Sequence, residues 1–226
     1  MSVVTIRGQL GSGAPEIGKQ VAERLHIDYI DREIIADVAK RLKRSKKGIA
    51  DKEMPPGTLL GRIAEALGRG FAMSGGSAGM YAGAYLPTWE MPLNDTRYLA
   101  GLESVVKELS KTNAVVIRGR GSQFILKDYP GTIHILVVAP LDLRVKRIVE
   151  SSKLDEGNAK KEIERFDSSR REFTKRYFHA ELEDPVYYDL VINTEHLIFD
   201  DAASIVIGSL SFRDKTAGKL PKTEKR

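Results

Sequence analysis

The feature that most constrains this chain is the succession in residues 3–25: a β-branched run, a glycine-rich turn and an amphipathic stretch. VVTI (3–6) reads as a buried strand. Ile17, Val21, Ala22 and Leu25 then recur at helical spacing. Pro15 is tolerated in the first turn of such a helix, whose N–H groups lack intrahelical partners. The intervening GQLGSGAPEIGK (8–19) nearly spells the phosphate-binding loop G-x-x-x-x-G-K-[ST]. Gly8, Gly11, Ser12 and Gly13 can form a cradle of backbone N–H groups at a helix N-terminus. Ala14 and Pro15 stand where the Lys and the Ser or Thr belong, so the ammonium, the hydroxyl and one first-turn donor are all lost. Lys19 is a poor substitute, five residues on and roughly 7–8 Å further along the helix axis. A glycine-rich strand–helix turn without a ligand is the plain alternative.

With 226 residues and 42% hydrophobic content, the chain suits one domain, expected over 1–212. It has no Cys, which excludes disulfides and thiolate chemistry. No membrane partner is expected, because no run of apolar residues is long enough to span a bilayer. The start, MSVVTIRGQL, lacks the pattern of a signal peptide, so the expected location is cytoplasmic. Net charge is +5, but residues 213–226 alone hold six Lys/Arg against Asp214 and Glu224. That stretch reads as a disordered basic tail on a nearly neutral body, and nucleic acid is not an expected partner.

Further strands are expected at AVVIRGRG (114–121), TIHILVVA (132–139) and YDLVINT (188–194), with a short extended piece in HIDYIDREII (26–35) followed by a helix to about Leu42. Helices are expected over about 95–111, in LDLRVKRIVES, in NAKKEIERFDSSRREFTKRYF and over about 200–210. KRLKRSKK (40–47) reads as a solvated helix end, and the glycine-rich 68–87 as a mobile segment. Strands alternating with helices predict an α/β fold with a parallel sheet covered on both faces. Ligands in such sheets bind at the carboxyl ends of the strands. Residues 8–13, 118–121 and 142–147 are the polar clusters that fall there.

GSGAPEIG, DYIDREII, VVIRGRG, APLDLRVKRI, IERFDSSRREFTKRYF and YDLVINT, in this order, resemble the cytidylate-kinase-like family. The resemblance spans most of residues 3–210 and is weakest over about 47–95. It implies a three-layer α/β/α P-loop kinase fold with a small lid, about 144–175, and a monophosphate-binding region. It also implies transfer of the ATP γ-phosphoryl group, with Mg²⁺, to a nucleoside monophosphate such as CMP.

Carried over residue by residue, the resemblance assigns Arg120 to the acceptor's phosphate, together with Asp167 and Arg170 of a D-x-x-R pattern. Asp31 falls near the same region and also reads as a helix N-cap. Arg144 and Arg147, three apart on one helix face, match lid arginines that neutralise the phosphoryl group in flight. Surface ion pairing is their alternative reading. Arg118 departs from the family pattern, which has an acid there. Its expected role is to reach the donor phosphates in place of the Lys missing at 14. No metal-ligating cluster is expected, and His134, inside an apolar strand, reads as a satisfied core residue. The expected function is a nucleoside monophosphate kinase. A non-catalytic nucleotide-binding module and a kinase for another small metabolite stay open.

Overall fold

The computed structural model describes residues 3–31, 33–35, 54, 57–73, 96–112 and 114–216. Five strands form one wholly parallel sheet in the order β2-β3-β1-β4-β5. They are β1 (Val3–Gly8), β2 (Asp28–Ile30), β3 (Val115–Arg118), β4 (Thr132–Val138) and β5 (Leu190–Asn193). The short extended piece foreseen after the first helix is thus the edge strand β2. Parallel strands need crossover connections, and helices supply them: α1 (Ala14–Leu25), α2 (Leu59–Met73), α3 (Thr96–Ser110), the single turn α4 (Ser122–Ile125), α5 (Leu141–Ser152), α6 (Glu156–Phe178) and α7 (Phe199–Thr216).

Alternation along β1 sends its side chains into two cores, one on each face of the sheet. Val4 and Ile6 join Val116, Ile133, Ile135 and Val137, packed on Ile17 and Val21 of α1 and on Ala202 and Val206 of α7. Val3 joins Val115 and Ile117 on the opposite face, against Ile63 and Leu67 of α2 and Leu102, Val106 and Leu109 of α3. The second face is not apolar throughout. Thr5 Oγ1 meets His134 Nδ1 at 2.7 Å, and Asp189 Oδ2 accepts from the His134 amide at 2.7 Å. His134 is therefore the satisfied core residue its sequence context indicates.

Two boundaries differ from the sequence reading. Gly68 and Gly70 belong to the last turns of α2 rather than to the mobile segment, because tertiary packing of Ile63, Ala66 and Leu67 carries the helix through them. Residues 213–216, expected in the disordered tail, continue α7. The helix foreseen to Leu42, the run 40–47, residues 74–87 and residues 217–226 lie outside the described residues. No helix among the described residues is long and apolar enough to cross a membrane.

Candidate active site: a clamped loop beside an arginine cleft

The loop after β1 and the turn after β3 emerge side by side at the carboxyl edge of the sheet, where ligands of such folds bind. Ile6 is in register with Arg118, and the Gly119 amide donates to the Ile6 carbonyl at 3.0 Å.

The loop has no room for larger residues. Gly11 and Gly13 have φ of 81° and 92°, in the left-handed region that favours glycine. A Cβ on Gly13 would strike the ring of Phe199, and one on Gly8 would strike Ala14. Buried groups from elsewhere fix its carbonyls. Arg144 Nη1 donates to the Leu10 carbonyl at 3.3 Å and to Asp167 Oδ2 at 2.7 Å. Arg147 Nη1 donates to the Gly11 carbonyl at 3.2 Å, and its guanidinium lies over the Phe199 ring at 4.9 Å. Thr194 Oγ1 donates to the Ser12 carbonyl at 2.8 Å and accepts from Arg147 Nη1 at 2.9 Å. Asp167 Oδ1 accepts from the Leu10 amide at 3.1 Å.

Arg144 and Arg147 therefore stand behind the loop as struts and are turned away from the cleft. Asp167 is their counterpart on α6, at 3% exposure, and it pairs with the loop instead of standing beside Arg170. Ser12 is fully buried, and its hydroxyl has no partner in the fold.

The turn after β3 is of opposite character. Gly119, Arg120 and Gly121 are all left-handed, with φ of 73°, 64° and 66°. That conformation is strained for Arg120 and costs on the order of 1–2 kcal/mol. Glycine at 121 is required, because a Cβ there would strike the Phe178 ring. The turn opens onto a cleft lined by Arg7, Gly8, Arg118, Arg120 and Arg170, with Phe166, Phe173 and Leu182 as its apolar wall. Arg170 lies flat on Phe166, its guanidinium carbon 3.5 Å from the ring centroid. Arg118 Nη2 faces Asp31 Oδ2 at 3.4 Å. Asp31 also caps the next turn of helix, accepting the amides of Glu33 and Ile34 at 2.9 and 3.1 Å. The one Asp31 carboxylate is thus a helix cap that also pairs with Arg118, a residue of the cleft. Arg118, foreseen on the donor phosphates, is held toward Asp31.

Arg7 was not singled out by the sequence, where it looks like the end of an apolar run. It is 6% exposed and points into the cleft's floor, its Nη1 donating to the Gly8 carbonyl. Burial pushes its guanidinium below the ordinary range, partly offset by Tyr188, Asp167 and Glu183 nearby. Burial also raises Tyr29, beside Arg118, and Tyr188, beside Arg7, to about 12. Thr194 was equally hidden, since nothing in YDLVINT foretells that its last residue reaches the loop.

A conserved-family model described as the cytidylate kinase-like family matches residues 3–196, which takes in the loop, the cleft and the struts. The chain belongs to the cytidylate kinase-like family. Among curated relatives, a cytidylate kinase of Sulfolobus acidocaldarius is 38% identical over 79 residues, 35% of this chain and 43% of that protein. One of Staphylothermus marinus is 32% identical over 92 residues, 41% of this chain and 51% of that protein. These matches span about half the length of the relatives or less. An uncharacterized protein from Eubacterium ventriosum superposes with a TM-score of 0.64 at 19% identity, covering 93% of this chain and 99% of that one. That likeness establishes the fold alone.

Proposed function

We propose that this member of the cytidylate kinase-like family is an ATP-dependent phosphotransferase whose acceptor is a nucleoside monophosphate, CMP foremost. The observation that carries the reading is the cleft itself. Guanidiniums from β1, the β3 turn and α6 converge beside a glycine loop, and among the described residues no carboxylate lines the cleft they form.

In this reading the loop holds the donor's phosphates. Its orphaned Ser12 hydroxyl and the closeness of Gly8, Gly11 and Gly13 to their neighbours leave backbone rather than side chains facing the anion. Arg120 and Arg170 grip the acceptor's phosphate through bidentate hydrogen bonds. Asp31 orients Arg118. Phe166, Phe173 and Leu182 exclude water, which strengthens each electrostatic contact. Phosphoryl transfer needs positioning and charge stabilisation rather than covalent protein chemistry, and these groups supply both. The residues do not fit a protein-held magnesium ion. Pro15 stands in place of the liganding hydroxyl, and no group of three carboxylates or imidazoles gathers among the described residues.

The test is ADP formation from Mg·ATP with a panel of nucleoside monophosphates, beside Arg120→Ala. Turnover with one of them, falling about 100-fold or more in the variant, is the expected outcome. One observation favours a second reading, a nucleotide-binding module without turnover: the Leu10 amide is already occupied by Asp167. ATP binding without ADP formation for any acceptor would select that reading over the kinase.

A further inference from the structure

The loop lacks its lysine, yet besides Arg144 and Arg147 behind it a third cationic side chain lies against its first glycine. Arg7 precedes the first loop glycine and donates to that glycine's carbonyl. Arg7 and Gly8 line the same cleft, so the guanidinium stands where the loop leaves the end of β1. A guanidinium carries a charge that burial does not remove.

Three further observations point to an absent anion. Arg7 is 94% buried by its 6% exposure, but no carboxylate among the described residues forms an ion pair with it. Asp167 is paired with Arg144 and Asp31 with Arg118, and Glu183 lies near enough to offset part of the burial of Arg7 without forming an ion pair with it. Nε of Arg7 is buried without a hydrogen-bond partner. A buried charge is retained only when something compensates it. Here the unmet donor and the unmet charge both belong to a residue lining the cleft where that cleft meets Gly8. The junction is where a phosphoryl group would pass from loop to acceptor.

We propose that Arg7 is a phosphate-binding residue at the junction of loop and cleft, and that it holds the terminal phosphoryl group of a polyphosphate donor in place of the ammonium missing at Ala14. The role replaces the one expected of Arg118, whose guanidinium is turned to Asp31. It rests on the phosphotransferase reading for what passes through the site, but not for the anion site itself.

The experiment is calorimetric titration of the full chain with ATP, AMP and tripolyphosphate in magnesium buffer, for the wild type, Arg7→Met, Arg7→Lys and Arg118→Met. Arg7→Met is expected to weaken ATP and tripolyphosphate by about 10- to 100-fold, the scale of a charge-assisted hydrogen bond. AMP, which lacks a terminal polyphosphate, should change least. Arg7→Lys should recover part of the loss, and Arg118→Met should weaken tripolyphosphate less than Arg7→Met does. The unliganded Arg7→Met protein should melt no lower than the wild type, since a buried uncompensated charge has been removed.

The proposal is overturned if Arg7→Met binds ATP and tripolyphosphate like the wild type, or if the wild type binds neither. It is also overturned if Arg7→Met and Arg7→Gln both melt far below the wild type, which would show the guanidinium compensated within the fold. Arg7-dependent tripolyphosphate binding without turnover of any monophosphate would sink the kinase reading and leave the Arg7 site standing.

Discussion

The loop after β1 and the turn after β3 leave the same edge of the sheet, yet the fold treats them in opposite ways. The loop's carbonyls are held by Arg144, Arg147 and Thr194, and its Leu10 amide by Asp167. Its geometry is set before any ligand arrives. The turn is a run of three left-handed residues whose arginine side chain faces a cleft. A rigid cradle beside a strained, cationic rim is how a site separates its tasks: one part is preorganised by contacts from behind, the other lines the cleft with positive charge. Arginines serve both parts. Those of α5 hold the loop from behind, Arg144 through Leu10 and Asp167 and Arg147 through Gly11 and Thr194. Those of β1, the turn and α6 converge on the cleft.

The contrast is broken most severely at Asp167. Replacing it with Ala leaves Arg144 buried and unpaired and frees the Leu10 amide, so Asp167→Ala is expected to lose about 3–5 kcal/mol in chemical denaturation. A loss under about 1 kcal/mol would mean that the strut contributes little and that the loop is not held from behind.

Glycine substitutions sharpen the comparison. Gly13→Ala meets both a φ of 92° and the Phe199 ring, and should cost about 2–4 kcal/mol. Gly119→Ala has a φ of 73° but nothing within 4 Å of the added methyl, and should cost only about 1 kcal/mol. Equal melting temperatures for the two variants would erase the distinction between packed loop and open turn.

The smallest effect is in alkali. Burial, opposed by the nearby arginines, raises Tyr29 and Tyr188 to about 12. Both pKa values lie above the unfolded value of about 10. Their contribution to stability is therefore fully present below pH about 10 and is lost as pH rises toward 12. Phenolate absorbance should show two tyrosines ionising only near pH 12, each removed by its own Tyr→Phe variant. Ordinary titration near 10 would mean that these two phenols are solvated and do not contribute.

Much of this was legible beforehand, for physical reasons that differ from place to place. β1, β3 and β4 announce themselves because a parallel strand buried on both faces must be an apolar run. Gly8, Gly11 and Gly13 announce the loop because few other residues tolerate its backbone. Asp31 reads as a cap from its place before the helix, and the structure adds Arg118 to it. The arginines were harder. Three-residue spacing correctly puts Arg144 with Arg147 and Asp167 with Arg170 on common helix faces, but a shared face does not say what that face meets. The i, i+3 pair Asp167 and Arg170 was therefore expected on one ligand and is divided between loop and cleft. Arg7 was missed because a charged residue at the end of an apolar strand looks like the strand's exit into solvent.

The sequence by itself determined the alternation of strand and helix, the parallel sheet, the glycine loop and the supply of arginines, since these depend on periodicity and on backbone freedom within a few residues. Only the tertiary structure decided which arginine is a strut and which faces the cleft. That choice depends on which carbonyls, hydroxyls and carboxylates are brought within about 3 Å of each guanidinium from 23 to 136 residues away along the chain.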